Sequence, residues 1–135
     1  MGIKKAILLY VMTVPVFFLI DMVWLGAVAK KFYRRHLGDF LAPRFNWPAA
    51  IIFYLLFIVG ILVFAVLPGL ERSSFSHTLV MGVLFGFFTY ATYDLTNLAT
   101  MAGWPISVVF VDIIWGMVLS GSVAAVSFLL GKHLL

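Results

Sequence analysis

The sequence predicts an all-α polytopic membrane protein, a four-transmembrane-helix bundle with a short basic interfacial segment after helix 1. Three observations predict it. The chain is 64% hydrophobic and only 10% charged, against roughly half apolar and a quarter charged in soluble domains. The apolar residues gather in four segments, about residues 6–29, 48–68, 77–98 and 105–130, each near the ~20 residues that a bilayer crossing requires. The net charge of +4 belongs mostly to the loops between them. At 135 residues the chain is read as a single integral-membrane domain, 1–135.

The first segment follows Lys4 and Lys5 and carries Pro15 in mid-run, which neighbouring helices tolerate as a mild kink. It is too long for a signal-peptide core and no small-residue cleavage pattern follows, so it is kept as a spanning helix. Tyr10, Val14, Phe17, Asp21, Trp24 and Val28 share one stripe, which gives the Asp21 carboxylate aromatic neighbours. Residues 30–46 then interleave Lys30, Lys31, Arg34, Arg35 and Arg44 with Phe32, Tyr33, Leu37, Phe40 and Leu41. That pattern predicts a short helix in the headgroup layer, broken at Gly38 or Pro43, or else a snorkelling loop. Its partners are the lipid bilayer and, at Lys30, Lys31, Arg34 and Arg35, anionic lipid headgroups.

The second segment starts at Pro48, a good first-turn residue, and ends at Pro68-Gly69, with Tyr54 as its polar side chain in the core. In the third, Gly82, Gly86, Thr89, Tyr90, Tyr93, Asp94 and Asn97 fall within an arc of about 140° of one helix face. Leu84, Phe88, Ala91, Leu95 and Leu98 lie opposite. A carboxylate, an amide and two phenols on one stripe of a membrane helix require partners, because each costs free energy in hydrocarbon. The fourth segment holds Asp112 and Trp115, then Gly116, Ser120, Val123 and Ser127, small residues that let another helix approach closely. Asp-x-x-Trp followed by Gly occurs around both Asp21 and Asp112, too short a likeness to establish a duplication.

In an antiparallel bundle Asp21, Asp94 and Asp112 fall on the side of the first and third loops. At ~1.5 Å per residue Asp21 is ~13 Å from Lys30, and Asp112 is ~10 Å from Pro105. Asp94 and Tyr54 come to a similar level, so each helix contributes a polar group to one layer. Carboxylates close together in low dielectric cannot all ionise cheaply; they share protons or take up a cation. Trp24, Trp115, Tyr90 and Tyr93 supply the π faces of an organic-cation pocket. The bland alternative is that the three Asp residues cap indole N–H, tyrosine hydroxyl and Asn97 groups and only lock the packing.

No cofactor, metal or catalytic residue is assigned. The absence of cysteine removes thiolate, iron–sulfur and Cys-zinc chemistry, and His36, His77 and His133 lie in loops or termini. Nothing resembles a soluble basic module, so nucleic acid is not among the expected partners. Five Lys/Arg in the first loop against four in the N-terminus, second loop and C-terminus narrowly favour a cytoplasmic first loop and both termini outside.

The chain resembles a family of small bacterial inner-membrane proteins known as a domain of unknown function, numbered 2177. The likeness rests on D-x-x-W-L-G at Asp21 to Gly26, F-Y-R-R-x-L-G at Phe32 to Gly38, F-A-V-L-P at Phe64 to Pro68, Y-A-T-Y-D-L-T-N-L-A-T at Tyr90 to Thr100, G-W-P at Gly103 to Pro105 and V-D-x-x-W-G at Val111 to Gly116. It implies a multi-pass inner-membrane protein and lends no activity. The residues themselves favour a transporter or binder of a small solute or cation, using Asp21, Asp94 and Asp112 with Tyr54, Tyr90, Tyr93, Asn97, Trp24 and Trp115. In plan the chain is similar to small multidrug transporters, which work as homodimers, although those depend on a Glu in the first helix. The alternatives are a structural or accessory membrane subunit, and an intramembrane lipid-modifying enzyme.

Overall fold

The computed structural model describes residues 1–42 and 44–135; Pro43, one of the two expected breakers of the basic segment, lies outside the described residues. Four helices long and apolar enough to cross a membrane follow one another: α1 Ile3–Leu37, α2 Trp47–Glu71, α3 Phe75–Thr100 and α4 Ile106–Leu134. They form a four-helix membrane bundle. Exposed Ile52, Leu56, Val63, Phe88, Phe110 and Ile114 give it the greasy exterior that a bilayer solvates.

The ends follow from local chemistry. The Asn46 side chain caps α2 by accepting from Ala49 N–H at 3.2 Å, with Pro48 in the first turn, where its missing N–H costs nothing. Ser74 Oγ caps α3 in the same way, accepting from His77 N–H at 3.1 Å. Between α3 and α4, Gly103 takes φ 79°, a left-handed turn conformation that suits a residue without Cβ, and Pro105 precedes the first turn of α4.

Two features have no counterpart in the periodicity. The first helix does not stop near residue 29: a π turn at Leu25–Ala29 joins Ile3–Trp24 to Lys30–Leu37, and the basic stretch continues the same helix. A second π turn occupies Leu62–Val66 in α2. In a regular helix Tyr33 would sit about 120° from Asp21; the residue that a π turn absorbs brings it to about 20°, onto the same stripe.

The α3–α4 pair is the main interface of the bundle. Gly82 and Gly86 of α3 lie against Ser120, Ala124 and the Gly116 carbonyl of α4, so close that a Cβ built on Gly82 would be 2.7 Å from that of Ala124. Two features differ from the expected stripes: Ala91, placed on the lipid side by periodicity, is buried, and the α4 small-residue stripe divides its service. Gly116 and Ser120 meet α3, whereas Ser127 meets α1 through a hydroxyl pair with Thr13 at 2.8 Å. Thr13→Val keeps the shape and strands the Ser127 hydroxyl, so it should cost about 1 kcal/mol of unfolding free energy measured in mixed micelles.

α2 is less evenly seated. It packs on α3 through Leu62–Glu71, whereas Trp47–Ile61 makes little contact with it. The helices therefore separate toward the end that carries the first and third loops.

Candidate functional site

At that end a cavity of about 820 Å³ opens between the four helices and the segment that joins α1 to α2. Its lining includes Asp21 and Trp24 of α1, Tyr54 of α2, Tyr90 and Tyr93 of α3, and Asp112 and Trp115 of α4. Seven of the nine residues expected from the sequence thus line one space; Asp94 and Asn97 are not on its lining.

The register of α1 against α4 fixes the depth of the two lining carboxylates. Thr13 faces Ser127, so Asp21, eight residues further along α1, stands opposite Leu119, eight residues back along α4. Leu119 is seven residues from Asp112, which puts Asp21 ~10 Å deeper into the bundle. The expected single layer of three carboxylates is therefore two levels, because α1 continues past residue 29 and carries Asp21 inward. Consistent with that spread, no group of three or more His, Cys, Asp or Glu among the described residues could hold a metal ion.

The deeper level consists of Asp21, buried beside the Tyr54 hydroxyl and the Trp115 indole. Trp115 in turn stacks on Trp24, with centroids 4.5 Å apart and planes 8° from parallel. Tyr54 is held edge-on by Phe18 and tilted against Phe17, each at 5.4 Å. The outer level is built on Asp112, which accepts a short hydrogen bond from the Tyr33 hydroxyl. Tyr90 stands between the levels; its ring lies over Gly116, where any side chain would collide with it, and both Asp21 and Asp112 are its electrostatic neighbours.

Asp94 is a different case. It is fully buried behind Asp112, and neither carboxyl oxygen completes a hydrogen bond; the Trp104 Nε1 beside it is likewise unsatisfied. Trp104 is clamped by Leu37, Val108 and Val109, the small second core where the end of α1 meets the start of α4. Asn97 interacts with Tyr93 at the rim. A buried carboxyl with idle oxygens is costly, and an amide could donate to Asp112. Asp94→Asn should therefore raise the unfolding free energy by about 1 kcal/mol, checked by denaturant titration.

Sequence reasoning missed Tyr33, Lys30, Arg34 and Trp104 as contributors. Lys30 and Arg34 line the cavity from the last turns of α1, with Leu37, Phe40, Phe45 and Phe53. No periodic signal points to Tyr33, because the π turn that delivers it to Asp112 is invisible in the hydrophobic pattern. Buried Trp104 lies in the turn between α3 and α4, outside both helical patterns.

Chemically, the cavity joins two carboxylates to aromatic faces and phenol hydroxyls in a space of the size that small-molecule ligands occupy. That combination attracts a cation by charge and by ring quadrupole together. A family model described as predicted membrane protein (DUF2177) matches residues 6–129. No curated protein and no solved structure matches the chain.

Proposed function

We propose, for a chain that belongs to the family of predicted membrane proteins DUF2177, that it is a binding protein or transporter for a small organic cation held inside the membrane. The observation that carries this reading is the meeting of Asp21 and Asp112, from different helices, with Trp24, Trp115, Tyr54 and Tyr90 around one cavity of about 820 Å³. Asp94 is sealed away from this space. Asp21 and Asp112 are nearly as buried, yet both stand on the lining of the cavity.

The setting assumed is the bacterial inner membrane with the first loop cytoplasmic. α1 is ~52 Å long against a hydrocarbon thickness of ~30 Å, so its basic end reaches the headgroup layer, where Lys30, Lys31, Arg34 and Arg35 would meet anionic lipids.

The test is a titration of the purified protein with tetraphenylphosphonium, read by tryptophan fluorescence in a Trp47→Phe, Trp104→Phe background that leaves Trp24 and Trp115 as the emitters. Binding should saturate in the parent protein and in Asp39→Asn, whose carboxylate is exposed in the loop after α1. It should weaken in Asp21→Asn and in Asp112→Asn. Equal affinity in all four proteins, or no binding to any, overturns the reading.

A further inference from the structure

Beside the cavity lies a second space, and it faces the hydrocarbon. Between α2 and α3 a groove of about 390 Å³ is lined by Phe53, Phe57, Thr89, Tyr90 and Tyr93. It shares Phe53, Tyr90 and Tyr93 with the polar cavity, so the two spaces lie side by side and these three rings border both. Phe53 and Tyr93 are 52% and 57% exposed, which leaves the groove open on its outer side. Its origin is the separation of Trp47–Ile61 from α3.

Depth decides what can use this groove. Phe57 is ten residues into α2 and Thr89 is eleven from the end of α3, which places them ~15 Å and ~16 Å from their helix ends. That is about halfway through a hydrocarbon layer of ~30 Å. An opening there meets acyl chains and no water. The loop-side mouth of the cavity offers the opposite environment, since Lys30 and Arg34 line it. A cation arriving from water meets two like charges on its way to Asp112 and Asp21; one arriving through the groove meets none.

From these two spaces we infer that the ligand is a single-chain cationic amphiphile taken laterally from the bilayer between α2 and α3. Its ammonium head lies between Asp21 and Asp112 and its alkyl chain lies in the groove over Phe53, Phe57 and Thr89. The inference rests on the organic-cation reading and adds the substrate class and the route. The chain axis runs from the aromatic head pocket into the hydrocarbon, so the amphiphile keeps its tail among lipid tails while its head exchanges lipid surroundings for carboxylates.

The experiment compares dodecyltrimethylammonium with tetramethylammonium, binding to protein in phosphatidylcholine nanodiscs, with the long-chain concentration referred to the lipid phase. Thr89→Trp plugs the groove without touching Asp21 or Asp112. It should weaken dodecyltrimethylammonium binding at least tenfold and leave tetramethylammonium within twofold. Thr89→Leu fills less and should give an intermediate loss for the long-chain cation alone, which separates plugging from collapse of the fold. If both variants bind both cations as the parent does, the chain does not use the groove and the lateral route is wrong, while the cation reading stands. Loss of both cations in equal proportion in both variants also overturns the lateral route. Should neither cation bind the parent protein, the cation reading falls and the amphiphile falls with it.

Discussion

Asp21→Asn and Asp112→Asn are each expected to lower the affinity for an organic cation about tenfold, and the double variant about a hundredfold. A unit charge ~5 Å from a carboxylate at an effective dielectric of 20 interacts by ~3 kcal/mol. Part of that is recovered by water, so about 1.4 kcal/mol, one factor of ten, is the expected net effect of each. The two substitutions should add, because each carboxylate acts on the shared cation through its own pairwise attraction, from different helices at levels ~10 Å apart along the bundle axis. Aromatic walls supply a further part: a cation over a ring gains about 0.5–2 kcal/mol according to its desolvation. The double variant should therefore retain weak binding. A hundredfold loss from either single variant would mean that one carboxylate alone holds the cation.

Gly86→Leu is expected to prevent folding, and Gly86→Ala to cost about 3 kcal/mol, the upper end of what overpacked cores show. The first Cβ at this position would fall on the Gly116 carbonyl, and it would lie 2.8 Å from Ser120 Cβ. Backbone cannot step aside as a flexible side chain can, so α3 and α4 would have to move apart along their main interface. Gly103→Ala is the useful contrast. Gly103 has open space around it and only its positive φ to lose, so that change should cost about 1 kcal/mol. The folded yield of Gly86→Leu and the unfolding free energies of Gly86→Ala and Gly103→Ala in mixed micelles check the ranking; equal costs at Gly86 and Gly103 would mean that the close α3–α4 approach contributes little.

Much of this was legible before any coordinates. The four apolar segments are the four helices, with ends shifted by a few residues except in α1. The polar face of α3 was readable because Gly82, Gly86, Tyr90 and Asp94 repeat at helical spacing, and this face does meet α4 or the cavity. Asp94 looked the most engaged of the three acids, with a whole polar face around it. It proves to be the one walled off, since periodicity gives a direction around the helix and says nothing of what stands in front.

The depth of Asp21 was misjudged for a specific reason. Lys30 looks like a helix end because it is charged and follows an apolar run, yet the chain carries its helix on to Leu37 through the π turn at Leu25–Ala29. The same turn rotates Tyr33 onto Asp112. A π turn has no compositional signature in Leu25–Ala29, which is simply apolar. The seating of α2 escaped the sequence as well, because the divergence of Trp47–Ile61 from α3 depends on how four helices share one core.

The most direct measurement is the position of a heavy-atom cation. Crystals of the protein soaked with tetramethylarsonium should show one strong anomalous peak inside the ring formed by Trp24, Trp115, Tyr54 and Tyr90, between Asp21 and Asp112, and lose it in the double Asn variant. A peak beside Asp94, a peak on the outer surface, or no peak at all would contradict an organic-cation site in this cavity.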